Sequence, residues 1–450
     1  MIRMRPDDDY FLCLHSASTP MQIGALMLFD VPDAQRHRFS DLVREHLAHR
    51  LPATALARVR RSAPWHIDCD AWFDLAEIRL DDVVSTQRAR VTLPQLHQLV
   101  AALVMEQVDP DKPPFRMVIV PEIEGGGSAI FLTTLHALAD GIGFQSITES
   151  LTDPTATPQR RPPVVRRNER IPTTPEWLVR ASVALGVDAW KRYRSRDQRA
   201  SAQAALDAHR ADPSNKRAKT PQFELSAPTS ALRSYTTMSL PLPRVKAVAV
   251  AMGGTVNDVF LATAAGAVRS YLISIDALPP TPIVVNAARS YRRSEHGELG
   301  NRIVSLHPHL ATTIADPVQR FRAIQASMAS ELERSRLQEP LMDQGAKPFS
   351  ARKQREAMSQ RVESGGAVLP GNVSLSNVPG PSATRYLAGF AMKASYPAPI
   401  LGAGRFLNIT LRRYLDHLDL GVMTDAAKIS DASVLRGHLA NALDELEQIS

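Results

Sequence analysis

An uncharged run at residues 128–134, Ser-Ala-Ile-Phe-Leu-Thr-Thr, constrains the fold more than any other part of the sequence. Three glycines at 125–127 precede it and predict a turn, and the apolar run itself predicts a buried strand. The segment His136-Ala137-Leu138-Ala139-Asp140-Gly141 follows almost at once, so a histidine lies at the end of this strand. The chain is then expected to turn at Asp140-Gly141 and to enter a helix.

His136 is the first candidate for chemistry in this chain. The unperturbed pKa of imidazole, about 6.5, lets a histidine accept and return a proton near neutral pH. Asp140 follows four residues later, but this spacing also arises by chance and, taken alone, favours a structural histidine. A metal site is not predicted, because no third ligand lies near these two residues and the sequence has no Cys-x-x-Cys pattern.

Segments far from His136 change this interpretation. They are residues 255–262 (Thr-Val-Asn-Asp-Val-Phe-Leu-Ala), 284–289 (Val-Val-Asn-Ala-Ala-Arg), 300–302 (Gly-Asn-Arg) and 372–381 (Asn-Val-Ser-Leu-Ser-Asn-Val-Pro-Gly-Pro). Together with His-x-x-x-Asp-Gly, and in this order, they resemble the wax ester synthase/diacylglycerol acyltransferase family of the CoA-dependent acyltransferase superfamily. Further similar segments at 6–12, 19–25, 114–117 and 397–402 extend the resemblance over nearly the whole chain.

The resemblance implies both a fold and an activity. The fold would be two chloramphenicol-acetyltransferase-like α/β domains that face each other across a central channel, with His136 at its middle. The activity would be O-acyl transfer from a long-chain acyl-CoA to a lipid alcohol, diacylglycerol or a fatty alcohol, which gives triacylglycerol or a wax ester. Acyl-CoA is then a substrate, and no cofactor is expected.

Residue roles can be carried over from the family motif. The resemblance implies that His136 is the general base and that Asp140 and Gly141 shape the loop around it. We expect Asp140 to have an architectural role, paired with an arginine. Arg289 is the first candidate for that partner and Arg302 the second.

Other motif residues leave alternatives open. Ser376 and Asn377 could supply or position donors for the oxyanion, or their segment could be a loop shaped by the proline and glycine that follow. Asn257 and Asp258 could cap the helix after them or lie in the substrate channel, and their residue types favour the cap.

Two positions depart from the family pattern. Leu135 stands where the family has a first histidine, and because adjacent strand side chains point to opposite faces, Leu135 is expected to pack in the core. The second departure is at residues 412–416, Arg-Arg-Tyr-Leu-Asp, where the family tends to have a small turn that contains glycine. This bulkier, charged sequence leaves the acceptor specificity open.

Length and composition predict domains and a compartment. A chain of 450 residues exceeds one usual core, and a change in composition divides it into halves at 1–155 and 231–450 joined by a linker at 156–230. The linker is rich in proline and arginine and contains one predicted helix, at about 175–196. The chain has only two cysteines, Cys13 and Cys69, which we interpret as small buried apolar residues. Without an apolar run of 18 residues or a signal sequence, a cytoplasmic protein is expected.

The positive charge is concentrated in the linker. Residues 160–219 contain 15 Lys or Arg and 6 Asp or Glu, whereas the rest of the chain is nearly neutral. The predicted helix also carries an apolar stripe of Val179, Val183, Val187 and Trp190. Peripheral contact with an anionic membrane or lipid droplet, or a helix packed on its own protein, would both fit this pattern. Nucleic-acid binding is not expected, because no recognition motif accompanies the charge.

Two other classes of function stay open at this stage. The chain could be a non-catalytic lipid-binding homologue, since the first histidine of the family motif is missing. It could also be an acyltransferase that uses a carrier-protein thioester and a different acceptor. The sequence does not predict the oligomeric state.

Overall fold

The structure, a computed structural model, describes residues 1–109, 112–158, 164, 166–342, 356–357, 360–361, 364–365 and 369–449. Its helices are α1 (Pro6–Cys13), α2 (Asp33–Arg50), α3 (Leu80–Val83), α4 (Leu93–Leu103), α5 (Gly141–Leu151), α6 (Thr174–Arg194), α7 (Arg196–Ala211), α8 (Leu242–Ala251), α9 (Val256–Ser274), α10 (Pro317–Gln338) and α11 (Val434–Gln448).

The strands alternate with these helices along the chain. They are β1 (Ile2–Arg3), β2 (Gln22–Asp30), β3 (Arg58–Arg61), β4 (Ala71–Asp74), β5 (Val84–Thr86), β6 (Phe115–Val120), β7 (Ser128–Leu135), β8 (Arg233–Pro241), β9 (Val285–Ser290), β10 (Ile303–Leu306), β11 (Val373–Val378), β12 (Tyr386–Leu387), β13 (Phe390–Ala398), β14 (Leu407–Tyr414) and β15 (His417–Asp425).

Two six-stranded mixed sheets carry the fold. The first has the order β12-β13-β2-β7-β6-β5, and the second has the order β10-β9-β11-β14-β15-β8. A small sheet, β1-β4-β3, lies beside the first. Helices α2 and α5 pack on one face of the first sheet and α4 on the other, whereas α9 packs with α8, α10 and α11 in the core of the second half.

Strand β7 contains the uncharged run at residues 128–134. Every residue of β7 is buried, because Ile130 and Leu132 point into one hydrophobic core while Ala129 and Phe131 point into another. A strand covered on both faces needs an unbroken apolar sequence rather than an alternating one. Leu135 joins the first core and is 5% exposed, which confirms the prediction that it packs away from the site.

The division of the chain into sequential halves needs a correction. Strands β12 and β13 lie in the predicted C-terminal half, yet they belong to the first sheet, where β13 pairs antiparallel with β2. The two sheets come very close at this point. A Cβ added to Gly421 on β15 would lie 1.7 Å from the carbonyl oxygen of Pro397 on β13, so only glycine fits there.

The linker also differs from its prediction. The predicted helix is α6, but a second helix, α7, follows in a part of the linker for which no helix was predicted. Alanine, glutamine and arginine in this segment have high helix propensity, and Leu206, which is 1% exposed, anchors it on the protein. Residues 159–163 and 165 of the predicted linker, with two of its prolines, lie outside the described residues.

Both cysteines are buried, as predicted, and burial raises the pKa of the Cys69 thiol to about 12.

Within the described part of the chain, no single helix is both long enough and apolar enough to cross a membrane. Helices α8 and α9, which are bent by 95° relative to each other, reach that length and apolar character only when they are taken together.

Candidate active site

A cavity lies between the two sheets and holds His136. Its empty space is about 1270 Å³, counting open solvent at its mouth. We call it the central cavity. Its wall consists mainly of apolar groups and includes Tyr10, Phe11, Leu14, Met21, Ile23, Gly24, Ala25, His136, Gly141, Phe144, Asn286, Ala287, Ile303, Ser305, Ser374, Ser376, Val378, Pro397, Ile400, Arg405, Asn408, Thr410 and Arg412.

His136 is held at the end of β7 by its backbone and by a ring contact. Its amide N–H donates to the Met21 carbonyl at 2.9 Å, and its own carbonyl accepts from Asn301 Nδ2 at 2.8 Å. The imidazole stacks on Phe11 of α1, with centroids 4.1 Å apart and ring planes 7° from parallel. The ring therefore has a fixed orientation in the cavity wall.

The surroundings of His136 favour a neutral imidazole. Burial lowers the pKa of His136 below its ordinary value, and the attraction of the Asp140 carboxylate offsets this only in part. A neutral imidazole can accept a proton at neutral pH, which a general base must do.

Asp140 makes its contacts away from the imidazole. Its Oδ1 accepts the Gly143 amide at 2.9 Å and so caps the start of α5. Its Oδ2 accepts from Arg292 Nη2 at 2.9 Å and from the Arg302 amide at 3.0 Å. Both side chains of the Asp140–Arg292 pair are almost completely buried. These contacts agree with the architectural role that we predict for Asp140.

The prediction that Arg289 pairs with Asp140 was wrong, because Arg292 is the partner. Arg289 lies on β9 and points the other way, where it donates to Ser335 Oγ at 2.7 Å and pairs with Glu339 at 2.7 Å. Arg302 does reach Asp140, but through its backbone amide rather than its guanidinium. Arg292 fills the role because β9 ends at Ser290 and the chain then turns back toward α5.

The Gly-Asn-Arg segment at 300–302 clamps the loop that follows His136. The Gly300 amide donates to the Leu138 carbonyl at 2.7 Å, and Asn301 Nδ2 donates to Asp8 Oδ1 at 2.9 Å as well as to His136. Gly300 has φ +75°, and a Cβ there would lie 2.8 Å from Asp8 Oδ2. Glycine is therefore required at position 300. Asp8, which accepts the hydrogen bond from Asn301, is buried, and its burial raises the pKa of its carboxyl group to about 6.

Gly141 and Ser376 both line the central cavity. A Cβ on Gly141 would lie 3.0 Å from Val378 Cγ2, so this glycine lets α5 approach β11 closely. Ser376 lies in the cavity wall, where an oxyanion donor is needed. Asn377 does not line the cavity, and its amide lies 3.4 Å from Asn257 Oδ1. Of the two predicted candidates for oxyanion donors, Ser376 therefore lies in the cavity wall and Asn377 does not.

Asp258 caps α9, as its residue type predicted, although the N-cap residue itself is Thr255. The Thr255 amide donates to Asp258 Oδ2 at 2.8 Å, and the Asp258 amide donates to Thr255 Oγ1 at 3.2 Å, which forms a capping box. Neither Asn257 nor Asp258 belongs to the cavity wall. The alternative that placed them in the substrate channel is not supported.

Several residues of the site were not foreseen from the sequence. Phe11 and Asn301 position His136, and they lie inside segments that carried the family resemblance without a stated role. Arg412 belonged to a predicted charged turn, but β14 continues through Tyr414 and the turn contains only Leu415 and Asp416. Arg412 therefore lies in a strand and lines the central cavity.

Known structures share this fold. The wax ester synthase/diacylglycerol acyltransferase from Marinobacter aquaeolei VT8 superposes with a TM-score of 0.69 at 22% identity, covering 100% of this chain and 99% of that one. The first condensation domain of the calcium-dependent antibiotic synthetase superposes with a TM-score of 0.59 at 14% identity, covering 99% and 97%. The predicted pair of α/β domains is thus confirmed.

Sequence comparisons identify the family. Residues 4–260 match the wax ester synthase/diacylglycerol acyltransferase catalytic domain, and residues 299–447 match the WS/DGAT C-terminal domain. A Mycobacterium tuberculosis protein, provisionally named a diacylglycerol O-acyltransferase, is 30% identical over 483 residues, 99% of each chain. A Mycobacterium bovis protein with the same provisional name is 29% identical over 490 residues, 99% of this chain and 91% of that one. The chain belongs to the WS/DGAT family of acyltransferases.

Proposed function

We propose that the protein transfers a long-chain acyl group from acyl-CoA to a lipid alcohol, diacylglycerol or a fatty alcohol, and so forms triacylglycerol or a wax ester. The observation that carries this proposal is the position of His136, with a depressed pKa, in the wall of a large and mainly apolar cavity between the two halves. Apolar walls suit an acyl chain and a lipid acceptor, because their burial removes hydrocarbon surface from water.

The reaction needs one base and one oxyanion stabiliser. The imidazole of His136 takes the hydroxyl proton as the alcohol oxygen attacks the thioester carbonyl, and a tetrahedral oxyanion forms. A donor in the cavity wall, for which Ser376 is the candidate, stabilises that charge. The intermediate collapses with cleavage of the C–S bond, and the departing CoA sulfur takes the proton back from His136. No covalent acyl-enzyme is required.

The test is an acceptor panel. Purified protein is mixed with a long-chain acyl-CoA and, separately, with fatty alcohols, monoacylglycerol and diacylglycerol, while CoA release is measured and the products are separated by lipid class. Ester formation with diacylglycerol or a fatty alcohol supports the proposal. Lipid binding without turnover would identify a lipid-binding homologue instead. Turnover restricted to a carrier-protein thioester would identify the other acyltransferase class.

A second part of the proposal concerns where the enzyme meets its acceptor. We propose that α6 docks on an anionic lipid surface, the inner face of the membrane or a lipid droplet. The inner face of α6 packs on the small sheet, where Trp177 contacts Phe73 and Asp188 pairs with Arg3. The opposite face has no partner among the described residues. Its Val179, Val183 and Trp190 are 64%, 61% and 58% exposed.

The basic residues beside this face of α6 favour an anionic lipid surface as its binding partner. At 3.6 residues per turn, the outward apolar residues of α6 form one stripe, and Arg180, Lys191 and Arg194 lie along one side of it. Basic residues near an anionic surface contribute about 1 kcal/mol each, and apolar side chains that enter the headgroup region add to this. An exposed apolar stripe with a basic margin is the pattern of an interfacial helix.

Replacing Val183 and Trp190 together with glutamine is expected to weaken binding to anionic vesicles at least tenfold, because each apolar side chain contributes roughly 1.5–3 kcal/mol when fully buried. Activity on dispersed lipid should fall as well, while activity on a short soluble alcohol should not. Vesicle co-sedimentation measures the first effect, and rising salt should weaken the wild-type binding.

Val250→Gln is the matched control for this test, because Val250 is an exposed apolar residue on a different helix, α8. It should leave vesicle binding unchanged. The apolar stripe of α6 could instead bind a second copy of the chain. Sedimentation analysis tests this, because it measures whether the protein is a monomer or a dimer. If the double variant turned a dimer into a monomer and kept its vesicle binding, the lipid assignment of α6 would be wrong.

A further inference from the structure

Arg412 lies in the wall of the central cavity in an unusual electrostatic setting. It shares one face of β14 with Asn408 and Thr410, as strand alternation requires, and all three line the cavity. Arg412 is 5% exposed. Burial lowers the pKa of its guanidinium to about 10, which still leaves it charged at neutral pH.

No carboxylate forms an ion pair with Arg412 in the described part of the chain. Three other arginines are buried to a similar degree, and each pairs with a carboxylate: Arg50 with Asp153, Arg320 with Glu445 and Arg334 with Glu331. Arg412 instead donates to two hydroxyls, Ser395 Oγ at 3.0 Å and Thr148 Oγ1 at 3.1 Å. Its Nε is buried and has no partner among the described residues.

The nearby acids are already engaged by other donors. Asp419 stands opposite Arg412 in the β14–β15 pairing, but its oxygens accept from Ser239 Oγ at 2.7 Å and from the Ser395 amide at 2.8 Å. Glu149 accepts from Gln145 at 2.8 Å. Because a buried charge is stabilised by a partner at hydrogen-bonding distance, Arg412 keeps an unmet capacity for an anion.

The position of Arg412 relates it to the reaction centre. Thr148 lies seven residues after Gly141 on α5, which at 1.5 Å per residue places the guanidinium about 10 Å along this helix from the His136 loop. On the other wall, Arg412 is paired with Val378, which contacts Gly141. Arg405, the other arginine of the cavity wall, is partly exposed, comes before β14 and donates to the Pro370 carbonyl at 3.2 Å.

We propose that Arg412 forms a carboxylate-binding subsite in the central cavity, for a chain-like substrate whose reacting end reaches His136 and whose far end is a carboxylate. This inference rests on the proposed acyl transfer and deepens it by naming a substrate class. The carboxylate belongs either to the acceptor, as in an ω-hydroxy fatty acid, or to the acyl donor, as in a dicarboxylic acyl-CoA. A guanidinium binds a carboxylate with parallel N–H donors, a geometry to which its Nε contributes.

The experiment compares matched pairs of substrates. The acceptor arm uses ω-hydroxydecanoate against decanol, and the donor arm uses decanedioyl-CoA against decanoyl-CoA. Arg412→Met should lower kcat/KM for the carboxylate member of one arm by roughly ten- to a hundredfold, the usual effect of a hydrogen bond to a charged group. The neutral member should be unchanged or improved. Arg413→Met is the control, because Arg413 is the exposed neighbour on the opposite face of β14.

Direct binding keeps this test separate from turnover. Titration calorimetry with decanoate should show binding to the wild-type protein that weakens at least tenfold in Arg412→Met and less in Arg412→Lys. A protein that binds decanoate in this way but acylates no acceptor would refute acyl transfer and leave the subsite standing. Equal losses for charged and neutral substrates, or no preference of the wild-type protein for decanoate over decanol, would overturn the subsite. The comparison of decanoate with decanol binding to the wild-type protein tests the subsite even if Arg412→Met does not fold.

Discussion

Replacing His136 with alanine is expected to lower turnover by roughly two to four orders of magnitude, the usual contribution of a general base. The fold should persist, because the imidazole lies in the cavity wall and its main side-chain contact is the stack on Phe11. CoA release under saturating acyl-CoA measures the loss, and thermal unfolding measures the stability. His417→Ala, an exposed histidine at the start of β15, should change neither quantity.

The pH dependence provides an independent check on the same residue. The pKa of His136 is lowered by burial, so protonation and loss of activity should occur only as the pH falls below about 6.5, the ordinary value. The acidic limb of the kcat/KM profile should therefore lie below that pH. Near-wild-type CoA release by His136→Ala would refute the base mechanism, and failure of this variant to fold would assign His136 a structural role.

The second large effect is expected at the buried pair Asp140–Arg292. Asp140→Asn should reduce the free energy of unfolding by about 3–5 kcal/mol, because it leaves the Arg292 guanidinium buried without its counter-charge. Activity should fall in parallel, since the same carboxylate caps α5 and holds the loop after His136. Denaturant unfolding measures the first effect and CoA release the second.

A double-mutant cycle identifies the partner of Asp140. Arg292→Gln should be destabilising by itself, yet it should add little to Asp140→Asn, with a coupling energy of about 0.5–3 kcal/mol. Arg289→Gln is the matched control, because Arg289 pairs with Glu339 and should be additive with Asp140→Asn. If the losses of Asp140→Asn and Arg292→Gln were fully additive, the two residues would not act as a unit.

The local features of this protein could be predicted from its sequence. Strand β7, the start of helix α5 at Gly141 and the burial of Leu135 depend on residues close in the chain, and each of them follows from apolar pattern and capping chemistry. The predicted turn lies earlier than expected, at residues 136–138 rather than at Asp140-Gly141. The family resemblance supplied the overall fold, and the structural comparisons confirm that fold.

Features that depend on the end of a strand or on a distant partner could not be predicted. The segment 289–293 contains three arginines, and only the end of β9 at Ser290 decides that Arg292 rather than Arg289 reaches Asp140. Element boundaries are the least certain part of a sequence prediction, because the terminal residues have weak local preferences. Arg412 was assigned to a turn for the same reason, since pairing of Tyr414 with His417 extends β14 past it.

The crossing of β13 into the first sheet affects how this protein must be made. During translation the first half of the chain leaves the ribosome well before Phe390–Ala398, so β2 lacks a neighbour on one side until those residues have been synthesised. Exposed strand edges of this kind pair readily with other chains. A nascent or truncated chain that stops before β13 is therefore expected to aggregate or to recruit chaperones rather than to mature as a separate domain, because the first sheet can be completed only after β13 has been synthesised.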